Sequence, residues 1–444
     1  MFPLKMRCGR TLRRLIQLVI FLGFLSSMSV VYVAMTTNNK ARWIQDGNKD
    51  IRQLLEDNGK SRNSGDGLEP EIIDAFERRF DLRRKIYDKA CSKTGSLNHG
   101  VTMPTHVRKD GRRTYIHHNV TMCFVEKVGS MFWSRYFNAF EKSIVGDHGT
   151  SVETHQMSEK EYDKTVKIVF VRNPYSRLLS GYVDKIFSTN PDYMSIMGRH
   201  IIEDIRFKGQ KEQTIQCGVD ATFAEFVDYI LYQYEHNLSM NNHFRPAHHR
   251  CAFCHMKYDY IGKMETFIED MMFVSRRIGA LKYNRTRDVI QKEGFHGIEQ
   301  MMYRNSHNIF TSRLKHILEC GVTLRQALKL TWRRWQIRGF FETQFEFPFR
   351  ATDSDITWKR FLEYAVRARQ ASDPKALSKA KKAALREAYS TLTLQTKLKL
   401  KKMFEPQFEM FGYKAMPESI FGTFHQSETD FRFFDVRDIF DKQS

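Results

Sequence analysis

Two stretches of the chain carry residue types suited to holding an anion. In KIVFVRNPYSRLLSGY, residues 167–182, an apolar run ends in Arg172 and Asn173-Pro174, and a helical pattern with Arg177 and Ser180 follows. Asn173 suits an N-cap and Pro174 the first helical position. Free N–H groups and the positive end of a helix dipole would therefore gather beside Arg172. Ser180, about two turns on, would add a hydroxyl donor. In CFVEKVGSMFW, residues 123–133, Lys127, Val128, Gly129 and Ser130 supply an ammonium, a backbone able to approach a ligand, and a hydroxyl ahead of a second helix. Together these are parts of a phosphate cradle. An ordinary strand-to-helix connection with a surface arginine is the plain alternative for either stretch alone.

The order of the first loop argues against an ATP-binding Walker loop, in which the lysine follows the glycines; here Lys127 precedes Gly129. A kinase is disfavoured accordingly. TMCFVEKV and KIVFVR are β-rich, and each runs into a helical stretch, MFWSRYFNAF and PYSRLLSGYVDKIF. Two strand-loop-helix units predict an α/β fold with a central parallel sheet flanked by helices. EIIDAFERRFDLRRKIYDKAC, from residue 71, is helical in pattern, and so is most of 264–403.

The formal net charge of +20 selects acidic partners. Leu15 to Met35 is an uncharged apolar run long enough to cross a bilayer, preceded by Lys5, Arg7, Arg10, Arg13 and Arg14. The positive-inside rule predicts a cytoplasmic tail (1–14), a transmembrane signal-anchor (15–35) and a lumenal remainder. A cleaved signal peptide is the alternative, against which stands Tyr32 where a small residue should precede Ala34. In that setting nucleic acid is not an expected partner, and Cys91, Cys123, Cys217, Cys251, Cys254 and Cys320 are expected in disulfides, with fifteen possible pairings. Asn119-Val-Thr, Asn237-Leu-Ser and Asn284-Arg-Thr are glycosylation sequons. Residues 36–70 are polar and predict a stem, 71–415 the folded domain, and 416–444 an irregular aromatic tail.

The two loops, in order, resemble the 5′-phosphosulfate and 3′-phosphate loops of sulfotransferases that use 3′-phosphoadenosine 5′-phosphosulfate (PAPS). The nearest resemblance is to the Golgi carbohydrate sulfotransferases that include the chondroitin and dermatan 4-O-sulfotransferases and the natural-killer-epitope glucuronyl sulfotransferase. NNHFRPAHHRCAFCHMKYDYIGKMET, 241–266, is similar to that family's His-Trp-x-Pro, Cys-x-x-Cys and Tyr-Asp-Phe-x-Gly block. FEPQFEMFGY, 404–413, is similar to its closing Asp-Phe-x-x-Phe-Gly-Tyr. The first loop departs from the family's Lys-Val-Ala-Cys-Thr-Asn-Trp: Met131 stands where a hydroxyl is expected. A helical, basic segment at about 285–380 exceeds the family's usual spacing and is a candidate for selecting the acceptor.

The resemblance implies a single P-loop-like sulfotransferase domain behind the transmembrane helix, in the Golgi membrane with type II orientation, transferring sulfuryl from PAPS to a glycan or proteoglycan hydroxyl without a metal. It implies that Lys127, Val128, Gly129 and Ser130 hold the 5′-phosphosulfate, Lys127 stabilising the leaving charge, and that Arg172 and Ser180 hold the 3′-phosphate. For the base that takes the hydroxyl proton, His148 between the loops is the first candidate and His243 the second, with His155 behind them. Cys251 and Cys254 beside His248, His249 and His255 could also be read as a zinc cluster, a reading the lumenal setting and the resemblance disfavour. Trp332-Arg333-Arg334-Trp335 is read first as a helix with its tryptophans inward, and second as a glycan contact. The competing function is a membrane-anchored protein that binds anionic glycans through an inactive sulfotransferase fold.

Overall fold

A computed structural model of the chain describes residues 70–93, 112–147, 163–208, 217–251, 253–295, 297–423 and 431–440. The chain divides at Pro70, and Glu71–Ser444 forms one compact unit. The apolar run Leu15–Met35, all of the stem but Pro70, His148 and His155 lie outside the described residues. Among the described residues no helix is long and apolar enough to cross a membrane.

Four short strands form one sheet in sequence order: β1 (Arg112–Tyr115), β2 (Val120–Cys123), β3 (Val166–Val171) and β4 (Tyr260–Lys263). β2, β3 and β4 run parallel, as expected, but β1 pairs antiparallel with β2, so the sheet is mixed rather than wholly parallel. The reason is local: only a tight turn around Asn119 separates β1 from β2, and a turn that short reverses the chain. β3 is an apolar run buried along nearly its whole length, as a strand inside a parallel sheet must be.

Each parallel strand feeds a helix: β2 leads to α2 (Ser130–Val145), β3 to α3 (Pro174–Lys185), and β4 to α5 (Phe267–Arg277), while α4 (Phe223–Glu235) lies between β3 and β4 in sequence. Phe132, Trp133, Tyr136 and Phe137 of α2 pack on one another, and Trp133 meets Phe170 of β3 and Phe267 of α5. The long α1 (Pro70–Lys93) docks through Arg83, whose guanidinium reaches the buried Asp270 carboxylate at 2.6 Å, and through Tyr87, which donates to the Met256 carbonyl. Disulfides join Cys91 to Cys254, Cys123 to Cys251, and Cys217 to Cys320. They consume the thiols that the zinc reading would have required.

The rest is helical: α6 (Gly297–Phe310), α7 (Leu324–Ile337), α8 (Trp358–Gln370), α9 (Pro374–Ser390) and α10 (Leu394–Phe411). Thr323 and Gln326 form a capping box that starts α7, and Asp373 caps α9 ahead of Pro374. Trp332 and Trp335 of α7 are 4% and 0% exposed within an aromatic cluster containing Phe341 and Phe361, which corrects the glycan-contact reading of that motif. In the tail, the backbone N–H groups of Phe433 and Phe434 donate to Glu387 of α9, and Phe433 and Ile439 are buried.

Candidate active site

The register sets where the two cationic loops emerge. Cys123, the last residue of β2, pairs with Val169, and Val171, the last of β3, with Lys263. The loops after β2 and β3 therefore leave the same edge, at the carboxyl ends of parallel strands where open α/β sheets bind ligands.

The first loop is bent by two residues in the left-handed region, Lys127 at φ 69° and Gly129 at φ 78°. Gly129 adopts that geometry freely, whereas a lysine there carries strain of order 1 kcal/mol or more that the surroundings must impose. Arg177, 2% exposed, is what imposes it: its guanidinium donates to the carbonyls of Glu126, Asn242 and Arg245 and fastens the loop to the 241–250 segment. Arg177 is thus committed to backbone carbonyls. Val128 is buried and anchors the loop, Ser130 opens α2, and Met131 is 61% exposed, so the first turn of α2 offers one hydroxyl rather than two.

At the second loop Asn173 caps α3 as predicted, its side chain accepting from the Ser176 N–H at 3.2 Å, with Pro174 first in the helix. The backbone N–H of Asn173 donates to Glu265, which also accepts from the Tyr413 hydroxyl at 2.9 Å. Glu265 follows β4 and Tyr413 follows α10, so the third and fourth sequence blocks meet the second. Burial lowers the Arg172 pKa, opposed by Glu265 and Tyr413, and Arg172 reaches across to the Lys127 carbonyl at 3.4 Å. Ser180 lies on α3, half-buried.

The Lys127 ammonium is 2.7 Å from Asp184 of α3. Asp184 is also gripped by Arg334 of α7, which donates in turn to Asn305 of α6 at 3.2 Å. Burial pushes Lys127 down to about 7 against the pull of Asp184, with Arg338 and Arg334 adding to the fall. Burial alone would raise the Asp184 carboxyl, but Lys127, Arg334 and Arg338 hold it well below the usual range. Lys185 is likewise lowered, by burial and by Arg334 and Arg313 against Asp184. Cations crowd one carboxylate here, an arrangement that favours a bound anion.

His243 joins this cluster. Its Nδ1 lies 2.8 Å from Asn241 Oδ1 and 3.2 Å from the Tyr193 hydroxyl. The amide oxygen only accepts, so Nδ1 carries the proton and the Nε2 lone pair is left for another partner. Burial pushes the imidazole down to about 4, helped by Lys185 and Lys127 and opposed by Asp184. The structure therefore unites Lys127, Arg172 and His243, while His148 lies outside the described residues. Sequence reasoning missed Asp184 and Arg338, and named Arg334 only within the glycan-contact alternative for Trp332–Trp335. For Arg334 a signal was present: Ala327, Thr331, Arg334 and Arg338 share one helical stripe, and the first two are buried.

Residues 114–334 match the family model described as "Sulfotransferase family". The chain belongs to the sulfotransferase family. Among its relatives, carbohydrate sulfotransferase 9 of Homo sapiens is 28% identical over 222 residues, covering 46% of this chain and 49% of the relative. Carbohydrate sulfotransferase 14 of Danio rerio is 30% identical over 180 residues (38% and 48%), and carbohydrate sulfotransferase 11 of Rattus norvegicus 29% over 208 (41% and 59%). The chain spans about half the length of the curated relatives it matches. No solved structure matches it. α7 with its buried Arg334 stands at the end of the matched region, and α8, α9 and α10 lie beyond it.

Proposed function

We propose that the protein is a PAPS-dependent carbohydrate O-sulfotransferase acting on a glycan hydroxyl. The observation that carries this reading is the contact of the two loops, Arg172 of the second donating to the Lys127 carbonyl of the first, so that two cationic strand-helix junctions form one anion site. The cation surplus around Asp184 fits a donor with anionic groups at two positions. Family membership and relatives named carbohydrate sulfotransferases support the same class.

PAPS supplies an activated sulfuryl group and a phosphate leaving group. In the transfer, a bond forms between the acceptor oxygen and sulfur, the bond from sulfur to the phosphate oxygen breaks, and the hydroxyl proton passes to the protein. Lys127, Val128, Gly129 and Ser130 hold the 5′ end, and Lys127 stabilises the charge left on the phosphate. Arg172 and Ser180 hold the 3′-phosphate. His243 receives the proton at Nε2, with Asn241 fixing its tautomer. The protein works in the Golgi lumen, behind a type II anchor at Leu15–Met35, on a glycan or proteoglycan acceptor.

Incubating the purified full chain with labelled PAPS and a panel of chondroitin, dermatan, heparan and N-linked glycan acceptors tests the reading. Calorimetry with 3′-phosphoadenosine 5′-phosphate (PAP), the product, accompanies it. Transfer to one acceptor is expected. A folded protein that binds no PAP would overturn the proposal in favour of a non-catalytic glycan-binding fold.

A further inference from the structure

Resting on that reading, we propose that Arg338, at the end of α7, is a donor-binding residue whose guanidinium contacts the anionic groups of PAPS between the two loops. Its place is fixed by backbone. α7 ends in a Schellman motif: Gly339 N–H bonds the Gln336 carbonyl and Phe340 N–H the Trp335 carbonyl, both at 2.9 Å, with Gly339 left-handed at φ 60°. A Cβ on Gly339 would lie 3.0 Å from the Leu377 carbonyl and closer still to the Lys381 side chain of α9, so the turn is pinned against that helix. Arg338 is the C-cap residue of this motif, one helical turn past Arg334, which grips Asp184 and through it shares a partner with Lys127.

The guanidinium carbon lies over the Phe340 ring, 4.8 Å from its centroid. Nη1 is buried and finds no hydrogen-bond partner among the described residues. A buried guanidinium N–H without an acceptor is costly, and native proteins tolerate it where a ligand supplies the acceptor. Burial, and then Arg334, lower the Arg338 pKa to about 10; Asp184 opposes this, and Arg172 lowers it further. Arg338 thus feels Arg334 from the first loop's ion-pair cluster and Arg172 from the second loop. An anion bridging the loops would meet it, and a planar guanidinium fork suits a phosphate or sulfate edge.

The test measures melting temperature and PAP affinity, by calorimetry, for the wild-type full chain, R338Q, R338K and the distant surface control R360Q. R338Q removes an uncompensated cation, so the unliganded protein should melt at the same temperature or higher while PAP affinity falls about ten- to a hundred-fold. R338K, which keeps the charge but loses the fork, should fall between, and R360Q should match wild type. If folded R338Q binds PAP like wild type, Arg338 is no donor contact and the sulfotransferase reading stands without it. Should R338Q fail to fold, R338K decides: unchanged affinity overturns the proposal. Inorganic pyrophosphate separates the two claims. Wild-type binding of pyrophosphate, lost in R338Q, without PAP binding keeps Arg338 as an anion ligand and overturns the PAPS reading; binding of neither overturns both.

Discussion

Donor binding should draw a proton onto Lys127. Burial holds that ammonium at about 7 in the unliganded protein, against 10.5 for an ordinary lysine. An anion laid beside it favours the charged form and raises its pKa in the complex. A group whose pKa rises on binding contributes affinity below its unliganded pKa, and the contribution is withdrawn as pH climbs through that value. Lys127 is then half protonated at pH 7 and about 1% protonated at pH 9, so PAP affinity should fall about fifty-fold over those two units while the bound lysine stays charged. At pH 8 binding should take up about 0.9 proton per PAP. The phosphates, with a second pKa of about 6, are already ionised there, and His243 at about 4 is neutral; Lys185, also lowered by burial, is the other group beside Asp184, and Lys127→Arg separates its share from that of Lys127. Calorimetry at pH 8 in two buffers of different ionisation enthalpy reads the uptake directly. PAP binding with no net proton uptake at pH 8, or uptake undiminished in Lys127→Arg, would refute the reasoning.

Asp184→Asn leaves Lys127 and Arg334 without their carboxylate and should cost about 3 kcal/mol of stability in urea denaturation; a change under about 1 kcal/mol would mean that the pairs contribute little. His243→Ala should lower turnover about 10²- to 10⁴-fold with PAP affinity preserved, and His148→Ala is its comparison: loss there alone moves the base to His148. Of the three sequons only Asn237-Leu238-Ser239 is exposed throughout, since Thr121 and Thr286 are buried, so Asn237→Gln should produce the largest gain in gel mobility of the three Asn→Gln changes.

What was legible in the sequence was local. The Asn173–Pro174 helix start follows from the geometry those residues impose on their own backbone, and β3 was readable because a strand covered on both faces is nearly all apolar, Lys167 being its one exception. The ion-pair cluster was not, because Arg334 and Asp184 lie 150 residues apart and no local pattern joins them. Two adjacent arginines show the limit. Arg333 donates to the carbonyls of Arg432 and Asp435 and clamps the tail, while Arg334 turns into the site; their sequence neighbourhood is the same, and only the 100° step between them separates the roles. The sheet's antiparallel edge was missed because RRTY has neither apolar alternation nor a turn signature beyond Asn119.

A site rich in mutually repelling cations leans on more than the Asp184 ion pairs, and the disulfides bear on it unequally. Cys123–Cys251 closes directly ahead of the Lys127 loop, next to Arg250, whose guanidinium meets Glu126 at 3.3 Å. Cys217–Cys320 instead ties the chain just ahead of α7 to a residue 103 positions earlier and adjoins neither loop in sequence. In the chain-entropy account both close long loops of similar length, so C123A/C251A and C217A/C320A should each cost about 2 to 5 kcal/mol in denaturant unfolding. Their effects on the site should diverge. Arg334 is fixed by Asp184 and by the packing of Trp335, so C217A/C320A should keep PAP affinity within about threefold at temperatures where it stays folded. C123A/C251A frees the strained Lys127 turn to relax, and affinity should drop at least about tenfold beyond the common loss of stability. Equal affinity losses in the two variants would mean that the site is held by global stability alone, and that the left-handed Lys127 turn is not a geometry this disulfide maintains.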